Sequence, residues 1–171
     1  MLQIPEMDPL LDYTDWQRES WAEWFQQHAP PALAASTGPH TDGRFPTIGA
    51  LVRHIFSAEL RYVERIQGAA LTDPSPVPTT DPTELFAFGT IARAQLRALL
   101  ATHSDPYWDT DIQIPLLNAT VRLTPRKILW HVVTHELRHW AQVATMLRQH
   151  GWKVPPQDLL FAPVWGEPVR L

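Results

Sequence analysis

The chain has 171 residues, a formal net charge of −4, 17 prolines, eight histidines, eight tryptophans and no cysteine. The missing cysteine excludes disulfides, thiolate metal sites and a cysteine nucleophile of the chain's own, and it fits a reducing compartment. With no basic run, nucleic acid is not an expected partner. No apolar run reaches the ~18 residues a spanning helix needs, and the N-terminus lacks a signal layout, so the expectation is a cytoplasmic protein with no membrane partner.

The prolines cluster, leaving four long proline-free windows at 10–29, 47–73, 83–105 and 126–154. Proline breaks helix interiors but is tolerated at helix starts, so the windows read as helices and the clusters as connections. The length fits one domain over 1–171 with a sizeable core.

The first helix is expected at about 12–28, with Trp21, Trp24, Phe25 and His28 spaced along one face. The second is expected at 47–67, with Thr47 as N-cap, Gly68 as stop, and an apolar stripe through Ile48, Leu51, Val52, Ile55, Tyr62, Val63 and Ile66. The third, 83–103, opens on Asp81-Pro82 and carries Phe88, Ile91, Leu96 and Leu99. Alternation of Ile112, Ile114 and Leu116, then of Val121 and Leu123, around Asn118-Ala119, predicts a small hairpin. The last helix, 125–150, opens on Thr124-Pro125 and closes at Gly151. A proline-rich tail follows, with one or two helical turns at 158–162. Four amphipathic helices in one domain give an all-α four-helix bundle, whose ligand sites are built from inward-facing side chains.

His131, His135 and His139 lie four residues apart on the last helix. This spacing advances only ~40° per step, so they form one stripe, but the outer two are ~12 Å apart along the axis and cannot share one ion. Two neighbours can, with a third ligand from another helix. On the helical wheel the stripe borders the buried arc, where histidines need partners and a metal is one. His54, at the edge of the second helix's apolar stripe, is the candidate third ligand. His28, His40, His103 and His150 fall at helix ends or in loops, where solvent or the helix dipole accounts for them.

His135-Glu136-Leu137-Arg138-His139 also reads as H-E-x-x-H, in which the glutamate activates water beside zinc. The extended H-x-x-G-x-x-H segment is missing, with Gln142 and Thr145 in the later places, and a downstream ligand would have to be Asp158 or Glu167. Glu136 falls ~100° from His135 inside the buried arc, where the bland role is an ion pair with an arginine of a neighbouring helix, Arg65 or Arg93 for example.

The order of these features resembles the DinB superfamily. Leu51-Val52-Arg53-His54-Ile55-Phe56-Ser57-Ala58-Glu59 resembles that family's first ligand motif. His131-Val132-Val133-Thr134-His135-Glu136-Leu137-Arg138-His139-Trp140-Ala141-Gln142 is similar to its last-helix motif, usually ending His-Arg-Gly-Gln. Trp140 and Ala141 stand where the family commonly has arginine and glycine. The resemblance spans nearly the whole chain. It implies a four-helix bundle with a divalent metal, often zinc or nickel, on His54, His135 and His139, and with His131 at a non-ligating position. It also implies kinship with metal-dependent transferases and isomerases that use a low-molecular-weight thiol such as bacillithiol, mycothiol or glutathione.

The functional expectation is therefore a metal-dependent transferase that activates a small thiol toward an electrophilic substrate. A non-catalytic metal-binding stress-response module is the alternative from another class, and an H-E-x-x-H metallohydrolase the third. So many apolar helical faces also make a homodimer an expectation.

Overall fold

Each long helix after the first begins where a side-chain oxygen meets its free amides. In a computed structural model of the chain, described here over residues 7–38, 44–116 and 118–166, the helical elements in chain order are α1 (Met7–His28), α2 (Pro31–Ala34), α3 (Ile48–Gln67), α4 (Pro82–Thr102), α5 (Asp105–Trp108) and α6 (Pro125–Gln149). Thr47 Oγ1 accepts from the Ala50 amide, Asp81 Oδ1 from the amides of Thr83 and Glu84, and Thr124 Oγ1 from the amide of Lys127. Each satisfies an amide that has no partner inside the helix. Gly68 ends α3 in the left-handed region at φ 67°, which glycine adopts without a Cβ penalty.

The expected hairpin is present between α5 and α6. Strands β1 (Ile112–Leu116) and β2 (Ala119–Leu123) pair antiparallel, with Ile114 opposite Val121. In the tail a 3₁₀ turn, Leu159–Phe161, starts at Asp158, whose carboxylate accepts from the Leu160 amide. Among the described residues no helix is long and apolar enough to cross a membrane.

Three details depart from the sequence expectation. The first helix begins at Met7 rather than at 12; Pro9 lies in its first turn, where a missing amide proton costs nothing. The single-turn helices α2 and α5 occupy stretches read as connections, and each has proline in its first two positions. Ile91, assigned to an apolar stripe, is exposed because α4 turns that side to solvent.

Among the described residues the core has two apolar clusters. One is built around Trp21, Phe25, Phe56 and Trp140, the other around Leu11, Val63, Leu96, Trp108 and Ile128 beneath the hairpin. In the first, the rings of Trp21 and Trp140 stack with centroids 5.4 Å apart, a geometry that adds to the gain from burial. Among the described tryptophans only Trp165 is exposed, so these rings are core material. At Gly49, near the start of α3, a Cβ would lie 1.7 Å from the Thr79 carbonyl oxygen. Only glycine lets the segment leading to α4 cross there.

Candidate metal centre

The side chains of α3 and α6 meet at three imidazoles. His54 comes from the second turn of α3; His135 and His139 lie one turn apart on α6. His135 Nε2 is 3.1 Å from His54 Nε2 and 3.1 Å from His139 Nε2. The ligand atoms of all three lie within 4.8 Å of one another. Two nitrogens bound tetrahedrally at zinc–nitrogen lengths sit about 3.3 Å apart, so the observed separations suit a shared divalent ion.

Burial and charge keep the His54 and His135 rings neutral, the form a metal takes. Burial, reinforced by His139 and by the charges of Arg44, Arg138 and Arg61, lowers the His54 pKa from 6.5 to about 4. Burial, with the neighbouring histidines and Arg138, lowers that of His135 to about 2. His139 is oriented from behind: its Nδ1 lies 2.6 Å from Gln142 Oε1. A carboxamide oxygen only accepts, so Nδ1 carries the proton and Nε2 presents its lone pair. Phe45, just before α3, stacks on the His54 ring with centroids 4.2 Å apart and lies edge-on to His139.

The remaining described histidines fall outside this group. His131 is exposed and packs edge-on against Tyr62. His28 stacks on Trp24, His103 on Tyr107, and His150 lies 2.8 Å from the Ser36 carbonyl oxygen. His40 and Glu167 lie outside the described residues. Asp158 caps the tail turn and is not among the residues that converge with the imidazoles.

Glu136 turns away from its neighbour His135 into the bundle. It joins Arg18 of α1, Glu59 of α3 and Arg93 of α4, so each of the four long helices contributes one charge. Arg18 Nε donates to Glu136 Oε1 at 2.6 Å and its Nη2 to Glu59 Oε2 at 2.8 Å. Arg93 Nη2 donates to Glu136 Oε2 at 2.7 Å and to Glu59 Oε2 at 3.1 Å. The Trp140 indole adds a hydrogen bond to Glu136 Oε1 at 3.1 Å. All four charged residues are buried. Burial alone would raise the Glu136 pKa, but Arg18 and Arg93 outweigh it and hold the carboxyl below its ordinary value. Burial likewise opposes the Arg18 charge, and Glu136 and Glu59 more than restore it. Along α1, α4 and α6 the layer's charged residue falls between the buried residues of the two apolar clusters.

The arginine expected for Glu136 is thus Arg93, with Arg18 in addition. Arg65 instead donates to the carbonyls of Pro115 and Arg61. A cleft of about 340 Å³ between α1 and α4 reaches Arg18 and Arg93 from the side of Asp15 and Arg97. Since the buried carboxylates already engage both guanidinium groups, we place the candidate chemistry at the histidines. Arg18 and Glu59 escaped the sequence reading, although a signal was present. Arg18 shares the face of Trp21 and Phe25 at i, i+3, i+7, and Glu59 shares that of Phe56 and Val63. A charge inside an apolar stripe needs a buried partner.

Known proteins give the same frame. Two solved structures share the fold. A DinB-like protein from Bacillus cereus ATCC 10987 superposes with a TM-score of 0.62 and 21% identity, over 86% of this chain and 94% of its own. A DinB-like protein from Bacillus subtilis, YjoA, gives 0.59 and 18%, over 87% and 96%. No curated protein matches. The DinB family profile matches residues 3–168, nearly the whole chain. The chain belongs to the DinB family.

Proposed function

We propose that this protein is a metal-dependent transferase that activates a low-molecular-weight thiol, of the bacillithiol, mycothiol or glutathione type, toward an electrophilic small molecule. The observation that carries this reading is the convergence of the His54, His135 and His139 nitrogens on one point. All-nitrogen donors suit zinc or nickel. Three protein ligands, rather than four, leave a position for an outside ligand, as in catalytic sites.

His54, His135 and His139 would hold a divalent ion, which would supply Lewis acidity that lowers the pKa of a bound thiol. The chain's own residues hold and orient. Gln142 fixes the His139 tautomer, and Phe45 shields one face of His54 from water. The chain has no cysteine, so the reacting sulfur must arrive by diffusion. Glu136 is occupied by Arg18, Arg93 and Trp140, which leaves the H-E-x-x-H hydrolase reading without its base.

The test incubates zinc- or nickel-loaded protein with each thiol and a panel of electrophiles, and quantifies S-conjugates by mass spectrometry. Conjugation above background that disappears in His135→Ala is expected. Conjugation undiminished in His135→Ala removes the metal from the reaction. No conjugation with any pair favours a non-catalytic metal-binding module.

A further inference from the structure

The three imidazoles are not held in the same way. Gln142 Oε1 accepts from His139 Nδ1, whereas no described residue hydrogen-bonds to the His54 ring from behind. His54 is also the half-buried member of the three; His135 and His139 are buried. The last torsion of a histidine side chain is broad, so a ring placed like this needs something else to set its plane.

Phe45 is in position to do so. Its ring lies 4.2 Å from the His54 ring, centroid to centroid, and within 25° of parallel. His139 stands nearly perpendicular to both, at 83° to His54 and 80° to Phe45. His54 Nε2 points at His135 Nε2, so the stack covers a face of the imidazole and leaves its coordinating edge clear. The Phe45 backbone is itself fixed. Pro46 biases the residue before it toward extended geometry. The buried Thr37 donates its hydroxyl to the Phe45 carbonyl at 2.6 Å and its amide to the Pro46 carbonyl at 3.2 Å. Ser36 and Thr47 form an antiparallel bridge beside these bonds, and His150, at the end of α6, lies 2.8 Å from the Ser36 carbonyl oxygen. The segment carrying Phe45 is thus tied to the start of α3 and the end of α6, the two helices that supply the imidazoles.

We propose that Phe45 is the positioning residue of His54: its stacked ring fixes the imidazole plane, the part that Gln142 plays for His139 through a hydrogen bond. This rests on the metal reading above and not on the choice of substrate. Stacking restricts tilt and rotation of the imidazole while taking no nitrogen from it, so Nε2 stays aimed at the point where His135 and His139 converge.

Two substitutions separate stacking from the filling of space. Phe45→Leu keeps an apolar side chain without a ring, and Phe45→Tyr keeps the ring. Crystal structures of the metal-free proteins should show His54 in one rotamer in the parent and in Phe45→Tyr, and in more than one in Phe45→Leu. Zinc affinity, measured by chelator competition, should fall roughly tenfold in Phe45→Leu, the lower end of the cost of losing a ligand's support. In Phe45→Tyr it should stay within about twofold of the parent, because the stack is kept. Circular dichroism reports that each variant is folded. Parental zinc affinity in Phe45→Leu, an unchanged single His54 rotamer in that variant, or a Phe45→Tyr as weak as Phe45→Leu overturns the proposal. So does a parent whose His54 already occupies several rotamers under the stack. A parent that binds no zinc overturns the metal reading instead, and the His54 rotamers of the metal-free proteins then decide the role of Phe45 by themselves.

Discussion

Nδ1 of His139 donates to Oε1 of Gln142 across 2.6 Å, within one turn of α6. The bond fixes which nitrogen of His139 faces His54 and His135. Gln142 itself is exposed, so its role can be separated from folding. Gln142→Leu should leave the thermal midpoint within a degree or two and weaken zinc binding roughly 10- to 100-fold, the usual cost of losing a partner behind a ligand. Gln142→Glu keeps an acceptor and should restore most of the affinity. Competition titration with a chromogenic chelator measures both, and equal affinity in Gln142→Leu and the parent would refute the positioning role.

Metal loading should stabilise the fold, because the site draws on two helices far apart in sequence and is absent from the unfolded chain. Free zinc at about a hundred times its dissociation constant should add about 2.7 kcal/mol. Single His54→Ala, His135→Ala and His139→Ala variants should each lose most of that increment, whereas His131→Ala should keep it. Denaturant melts with and without zinc provide the measurement. Loss of the increment in His131→Ala, with retention in His54→Ala, would redraw the ligand set.

The buried charge layer makes a prediction about stability. Glu136→Ala leaves Arg18 and Arg93 each short of a carboxylate partner, and breaking a buried pair from one side costs about 3–5 kcal/mol. Chemical denaturation should therefore show Glu136→Ala among the most damaging single changes. By contrast, Arg97→Ala, which removes contacts to Asp12 and Asp15 at the surface, should cost at most about 1 kcal/mol. Comparable losses in the two variants would argue against the layer as a structural element.

The same carboxylate sets a pH dependence. Arg18 and Arg93 hold the folded Glu136 carboxyl below its ordinary 4.5, while in the unfolded chain it titrates near that value. The unfolded state therefore binds the extra proton first as pH falls. The contribution is complete above about pH 4.5 and is lost progressively below it as the folded carboxyl takes up its proton. Denaturant midpoints measured from pH 6 down to pH 3 should fall for the parent and fall less for Glu136→Gln. Parallel pH profiles would contradict this.

The sequence alone was enough to place four helices, because their signals are local. Thr47, Asp81 and Thr124 cap amides within three residues of themselves, Gly68 ends α3 by its own backbone freedom, and the prolines mark the breaks. The hairpin was legible from alternation over five residues. The α6 histidine pair was legible because four-residue spacing on a helix is fixed geometry. Long-range partners were not legible. Helical phase puts His54 at the edge of a stripe, but only the packing of α3 against α6 brings its Nε2 to 3.1 Å from His135. Glu136 follows His135 in the chain and reads as part of a zinc motif. Its direction was decided by Arg18 and Arg93, 118 and 43 residues away, because a buried carboxylate goes where guanidinium groups compensate its lost hydration. Local pattern thus determined which segments are helices and which residues face inward. The tertiary structure decided which inward residues meet, and so separated a layer of charge that holds the bundle together from a cluster of imidazoles open to a metal.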